Sequence, residues 1–311
     1  MEIGYFLSSE EHGPRDLVAM GRQVEEAGFD RVWVSDHFHP WSDRQGHSPF
    51  VWSVLGALAT TTDLTLTTGV TCPTIRIHPA IIAQAAATTA VLAEGRFRLG
   101  VGSGENLNEH VLGDPWPEAA VRLEMLEEAV EVMRLLWDVG VQSHRGRHYT
   151  VQNARLYDLP DEPIDVVVSG FGPKAAALAG RIGDGYACTG PASELVDEFT
   201  AAGGGGKPIE AGVKVCWDED EAAARRLSHE LWALAGVPGE VSQELPMPAH
   251  FEQATELVTE DMVAESIVCG PDPERYVAKL AEYEKAGFTH VYLQQVGPKL
   301  DGFLDFYRRE V

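Results

Sequence analysis

Apolar and polar positions alternate along the chain in two periods. Short runs dense in apolar residues predict eight strands, over Ile3–Leu7, Arg31–Ser35, Leu64–Val70, Phe97–Val101, Ile164–Ser169, Tyr186–Cys188, Gly212–Trp217 and His290–Gln295. Between them apolar residues return every three or four positions. That spacing predicts helices over Pro14–Ala27, Pro49–Thr60, Pro79–Leu92, Ala119–Trp137, Pro173–Ile182, Ser193–Ala202, Glu219–Leu234, Pro273–Ala286 and Gly302–Arg309. In the first, Leu17, Met20, Val24 and Ala27 share one face and Gly28 stops the helix. In the fourth, Leu123, Leu126, Val130, Met133 and Trp137 do the same. Ser143–Val151, around Gly146, reads as a hairpin. Gly236–Met262, with Pro238, Pro246 and Pro248, reads as an irregular insertion.

Strands that alternate with helices make βαβ units, and those make a parallel sheet. An internal echo supports repetition. Glu26-Ala27-Gly28-Phe29-Asp30-Arg31-Val32 resembles Lys285-Ala286-Gly287-Phe288-Thr289-His290-Val291, a helix ending at Gly just before a strand. Eight such units in 311 residues fit an α/β fold, one (β/α)8 or TIM barrel with insertions, as a single domain over residues 1–311. No linker divides the chain, and Gly203–Gly206 reads as a loop tip.

Composition narrows the classes. With 44% hydrophobic and 23% charged residues, the chain has material for a full core. No apolar run nears the ~20 residues that span a bilayer. The start lacks a basic region and a cleavage site, so a cytoplasmic location is expected. Cys72, Cys188, Cys216 and Cys269 are far apart and read as reduced apolar residues. Charge changes the picture more. Forty-eight acids face 24 bases, a net charge of −24, and only six of the bases are Lys. Nucleic acid and anionic membrane would be repelled. Acid excess with scarce Lys fits either a salt-loving source or an ordinary acidic surface.

A barrel places its chemistry at the C-terminal ends of its strands. Those ends deliver Ser8, Ser9 and Glu10; Ser35, Asp36, His37, His39 and Trp41; Gly69, Val70, Thr71 and Cys72; Gly102, Ser103, Gly104, Glu105 and Asn108; Gly170, Phe171, Gly172 and Lys174; Thr189; Gln294 and Gln295. Three readings compete for this mouth. His37-Phe38-His39 has metal-binding spacing, but strands 5 and 6 offer no further His, so no metal is expected. Gly170-Phe171-Gly172-Pro173-Lys174 sets glycines before a helix start, either an anion cradle or a plain strand–helix turn. Asp36, His37, Glu105 and Glu10 converge as groups able to hold different protonation states, which proton transfer beside an organic cofactor needs.

At these residues a family becomes recognisable. Ser35-Asp36-His37-Phe38-His39-Pro40-Trp41, Gln45 to Phe50, Arg76 to Gln84 and Gly100 to Glu109 resemble the luciferase-like superfamily. The match is closest to its coenzyme F420-dependent oxidoreductase branch, the F420-dependent glucose-6-phosphate dehydrogenases, and runs nearly end to end. The resemblance implies coenzyme F420 as cofactor and, by family habit, a homodimer. It implies that Asp36 contacts the deazaflavin ring and that His37 sits by the substrate hydroxyl as base or orienter. Glu105 would serve the ring nitrogen, Trp41 would steady charge at the reacting carbon, and Glu10 would hold substrate. A non-proline cis peptide at Gly69–Val70 would back the ring, near Cys72. Ser103, Gly104, Asn108, Gly170, Gly172 and Ala175 would meet the cofactor's chain and phosphate.

The departures concern the substrate. Family members hold a sugar phosphate with two Lys and an Arg. Here one Lys position falls near Pro191–Ala192, the other at Gln253, and Arg275 alone remains. Gln253 and Arg275 are therefore the candidate substrate contacts, and an alcohol or sugar other than glucose 6-phosphate is expected. An FMN-dependent luciferase-like monooxygenase is the enzymatic alternative. A non-catalytic binder of F420 or flavin is the alternative of another class. In every case the partner is a small molecule, not nucleic acid or membrane.

Overall fold

A computed structural model describes residues 1–237 and 239–311; Pro238, in the expected insertion, lies outside them. The eight barrel strands are β1 (Glu2–Leu7), β2 (Arg31–Val34), β3 (Thr65–Thr68), β4 (Phe97–Val101), β5 (Val166–Ser169), β6 (Gly185–Cys188), β7 (Ile209–Cys216) and β8 (His290–Gln295). Each pairs in parallel with the next, and β8 pairs with β1, Glu2 opposite His290, so the sheet closes on itself. Around it run α1 (Pro14–Glu26), α2 (Val51–Ala59), α3 (Pro79–Leu92), α4 (Ala119–Trp137), α5 (Pro173–Ile182), α6 (Ser193–Phe199), α7 (Pro273–Lys285) and α8 (Leu300–Glu310). This is the (β/α)8 barrel. No helix among the described residues is long and apolar enough to cross a membrane.

Two periods build the packing. Outward strand residues such as Tyr5, Leu7, Val32 and Val34 meet the apolar stripes of the helices, among them Leu17 and Val24 of α1. Each fully buried Leu or Val there contributes roughly 1.5–3 kcal/mol. The echoed helix ends are real: Gly28 and Gly287 both have positive φ, +101° and +95°, which a side chain would resist. Inside the barrel, Trp33 stacks on Tyr292 at 4.5 Å between centroids, and Phe6 meets Trp33 edge-on. Gly69 and Gly212 leave room for these rings, because a Cβ there would press on Trp33 and on Phe6.

Some boundaries differ from the expected ones. β3 ends at Thr68, and the Gly69–Val70 peptide that follows is cis. β7 begins at Ile209, three residues early, and α6 ends at Phe199 before a wide turn over Thr200–Gly204. The hairpin forms from Gln142–Arg145 and Thr150–Ala154. The segment expected to be irregular instead holds three short helices, Val241–Glu244, Pro248–Ala254 and Glu260–Ser266. Pro248 opens the second, and Thr259 caps the third by accepting from the Met262 N–H. Helices of four to seven residues are too short to show a period.

Candidate active site

The ends of β1 and β2 meet first. Ser8 and Ser35 hydroxyls donate to Oε2 of buried Glu10, at 2.7 and 2.8 Å. Its other oxygen, Oε1, lies 3.5 Å from Nδ1 of His37. Burial pushes the Glu10 carboxyl up, but His37 and the two serines outweigh it and hold the group below the usual carboxylate range. His37 Nδ1 is buried and makes no hydrogen bond. The imidazole meets the Trp41 ring edge-on at 4.9 Å, and Trp41 in turn packs on Phe251 of the helix Pro248–Ala254. The inserted segment thus forms one wall of the mouth.

On the next side, Asp36 has both oxygens engaged. Thr71 donates to Oδ2 at 2.8 Å and Arg76 Nη2 to Oδ1 at 3.0 Å. The Arg76 backbone N–H donates to Glu109 Oε2 at 2.8 Å. Burial pushes the Glu109 carboxyl up against the pull of Arg76, which its own ion pairs keep more firmly protonated. This buried Asp36–Arg76–Glu109 set ties β2, the loop after β3 and the turn after β4 together. Asn108 makes a second tie. Its Oδ1 accepts from the N–H groups of Phe38 and His39, and its Nδ2 donates to Glu105 Oε2 at 3.3 Å. Glu105 is half-buried, and Oε1 is left without a partner among the described residues. Gly104 has φ +84° and lies against Cys72, whose thiol burial pushes up.

The end of β5 leads into α5 through Gly170 and Gly172. Gly172 is the N-cap and carries no side chain to cap the helix, so the first N–H groups of α5 are open. Nothing lies within 4 Å of where a Gly172 Cβ would be. Ala175 crowds Gly170, and Lys174 stands in the first turn. On the far side, Arg275 donates to Glu221 Oε1 and to the Cys269 carbonyl, both at 2.9 Å. Gln253 is exposed, on the helix that carries Phe251. His39 Nδ1 faces the Leu107 carbonyl at 2.9 Å. All four cysteines are free and buried.

Sequence reasoning brought His37, Glu10, Trp41, Asp36, Glu105 and Asn108 to one mouth. It did not single out Arg76 or Glu109 for a role, though both stood in the quoted motifs. It also passed over Glu11, which accepts from Trp232, Gln294 and the Gly297 N–H, each at 2.7 Å. The adjacent pair Glu10–Glu11 at a strand end was the available signal.

A model of the luciferase-like monooxygenase family matches residues 1–290. A Beutenbergia cavernae protein named F420-dependent glucose-6-phosphate dehydrogenase is 36% identical over 324 residues, covering 100% of this chain and 96% of its own. Its namesake from Segniliparus rotundus is 37% identical over 327 residues, covering 100% and 97%. Among solved structures, an F420-dependent secondary alcohol dehydrogenase in complex with an F420-acetone adduct has a TM-score of 0.91 and 31% identity, over 100% of this chain and 98% of the other. The coenzyme F420-dependent tetrahydromethanopterin reductase of Methanopyrus kandleri, 21% identical with a TM-score of 0.80 over 100% and 99%, shares the fold. With the motifs, the barrel and these relatives in agreement, the chain belongs to the luciferase-like family, in its F420-dependent oxidoreductase branch.

Proposed function

We propose that this chain is an F420-dependent dehydrogenase that moves a hydride between the deazaflavin ring and an unphosphorylated alcohol or sugar. One observation carries the reading: a buried imidazole, His37, stands free of hydrogen bonds between an ionised carboxylate and a tryptophan at the barrel mouth. A merely structural histidine would have spent its ring nitrogens.

The donor set fits the cofactor. The open N–H groups in the first turn of α5, near Ala175, with Gly170, Gly172 and Lys174, suit its phosphate. Asp36, Gly69, Val70 and Cys72 stand on the side where the ring would lie, and Ser103, Gly104 and Asn108 would meet its chain and phosphate. When bound, coenzyme F420 supplies a two-electron, hydride-accepting ring. His37 takes the proton of the substrate hydroxyl, and Glu10 holds the resulting imidazolium by its charge. Trp41 keeps water from the reacting carbon. Asn108 holds Oε2 of Glu105, which would leave Oε1 to serve the ring nitrogen.

Glucose 6-phosphate is a poor candidate. By the resemblance, the neutral Pro191–Ala192 and Gln253 fall where family members carry two lysines, and Arg275 is committed to Glu221 and Cys269. Each missing charge-assisted bond forfeits roughly tenfold or more. Fluorescence titration with F420 and with FMN, followed by a panel of alcohols and sugar phosphates, tests the reading. Tight F420 binding and turnover of an unphosphorylated alcohol are expected. FMN binding more tightly, or glucose 6-phosphate outrunning every unphosphorylated alcohol, overturns it.

The proposed assembly is a homodimer. Helices α2 and α3 contain no charged residue, and Phe50, Ile81 and Leu92 beside or within them are exposed. In a chain of net charge −24, a second copy meets the least repulsion at an uncharged face. Sedimentation of the wild type and of Ile81→Glu should separate dimer from monomer.

A further inference from the structure

Two polar groups inside the barrel are not used by this mechanism. Strand residues alternate between faces. Glu210 of β7 points inward, since it bonds Trp33 of the interior plug. Gly212, two residues on, faces the Phe6 and Trp33 rings. Lys214 therefore also faces inward, one layer nearer the mouth. On β8, Tyr292 belongs to the plug, so Gln294 shares Lys214's layer. The two are register partners on neighbouring strands.

Both side chains are short of partners. The Lys214 ammonium lies 4.0 Å from the Trp232 ring centroid, a weak acceptor. It makes no hydrogen bond or ion pair among the described residues. Of the nearby carboxylates, Glu11 is engaged by Trp232, Gln294 and the Gly297 N–H, while Glu10 has Oε2 taken by Ser8 and Ser35 and Oε1 facing His37 at 3.5 Å. Gln294 is 1% exposed; its Nε2 donates to Glu11, and its Oε1 is buried with no partner. A spare donor beside a spare acceptor calls for a group that is both. A hydroxyl is such a group. A phosphate offers acceptors alone and would face Glu10 and Glu11.

We propose that Lys214 and Gln294 form a hydroxyl-binding subsite on the floor of the mouth, beneath the His37–Glu10 pair, that anchors a second hydroxyl of a polyhydroxy alcohol or unphosphorylated sugar. This rests on the dehydrogenase reading for the first hydroxyl, the reacting one. Lys214 is a specificity-determining residue here: it donates to the anchored oxygen, and Gln294 Oε1 accepts its proton.

The test uses F420-loaded enzyme and a series that adds hydroxyls: 2-propanol, 1,2-propanediol, glycerol and D-sorbitol. In the wild type KM falls at least about tenfold at one step, the worth of one charge-assisted hydrogen bond. In Lys214→Met and in Gln294→Met the step disappears, while kcat/KM for 2-propanol stays within about twofold. The double variant loses no more than either single one. Calorimetric titration of the same alcohols into the loaded enzyme reads binding without turnover. Polyol binding that depends on Lys214, with no turnover of any alcohol, leaves the subsite standing and removes the dehydrogenase reading. Lys214→Gln, closer in polarity, covers a misfolded Met variant, with melting curves as the check. No step in the wild type, a step that survives both substitutions, or an equal loss on 2-propanol overturns the subsite. The first of these outcomes would mean that the two groups hold only a fixed water.

Discussion

The two ends of the barrel interior hold the same kinds of residue to opposite effect. At the closed end, Glu210 is fully buried, bonded through Oε2 by Trp33 and through Oε1 by Arg98, beneath the Trp33–Tyr292 stack. At the mouth, Glu10 is buried to nearly the same degree, beside His37, Trp41 and Lys214. Acid, cation and aromatic ring recur at both ends. At the closed end both carboxylate oxygens meet strong donors, and the loose groups are Nη2 of Arg98 and the hydroxyl of Thr67, the register partner of Trp33 and Arg98. At the mouth His37, Lys214 and Gln294 all keep unspent hydrogen-bonding capacity. Charge and burial do not tell the ends apart. The carboxylate itself does: both oxygens of Glu210 are bonded, whereas Oε1 of Glu10 has only the 3.5 Å approach of His37.

The largest effects should fall on chemistry at the mouth. His37→Ala and Glu105→Gln should each lower turnover at least about a hundredfold, with little change in F420 affinity or melting temperature. Near-normal turnover with weakened F420 binding would make either residue a cofactor contact instead. The closed end should give the reverse. Glu210→Ala leaves Arg98 with only Asp165, at 3.7 Å, and should cost about 3 kcal/mol of stability. Denaturant curves should show that loss while turnover per folded molecule holds. If turnover falls with stability, the two ends are coupled and the contrast fails.

Smaller effects sharpen the contrast. Asn108→Ala removes the acceptor for the Phe38 and His39 N–H groups and should lower kcat/KM about tenfold. Asn108→Asp, which keeps an acceptor, should recover part of it. Glu10 has a lowered carboxyl pKa in the fold, so its contribution is present above the usual carboxylate range. That contribution is lost as pH falls through the lowered value. Glu10→Gln should therefore flatten the stability curve below about pH 4. The smallest expected effect belongs to neither end. Melting temperature should rise from low to molar KCl, because screening within ~3 Å weakens repulsion among 48 acids. A flat or falling curve would give the acidic composition another cause.

Eight strands and their helices were legible because most of the helices show their period over ten or more residues and most of the strands are dense apolar runs. The three short helices after Gly236 were not, since one or two turns carry no period. His37, Glu10 and Trp41 were legible as strand-end residues in a motif. Arg76 was harder. Its meaning lies in reaching Asp36, 40 residues back, and Glu109, 33 residues on, a contact only the closed barrel creates. Gln294 was legible as a strand-end residue, but not its spare oxygen, which depends on where its amide nitrogen is already bound.

The pairing of β1 with β8 sets a timetable for synthesis. Strand β1 has one neighbour, β2, as soon as residues 31–34 emerge, but its other edge must wait for residues 290–295. Until residues 290–295 have left the ribosome, Glu2–Leu7 is an open edge with apolar residues beside it, a template for wrong pairing. A chain stopped short of residue 290 would keep that edge open for good. Cells that make this protein must shield it, or finish it, before another strand arrives.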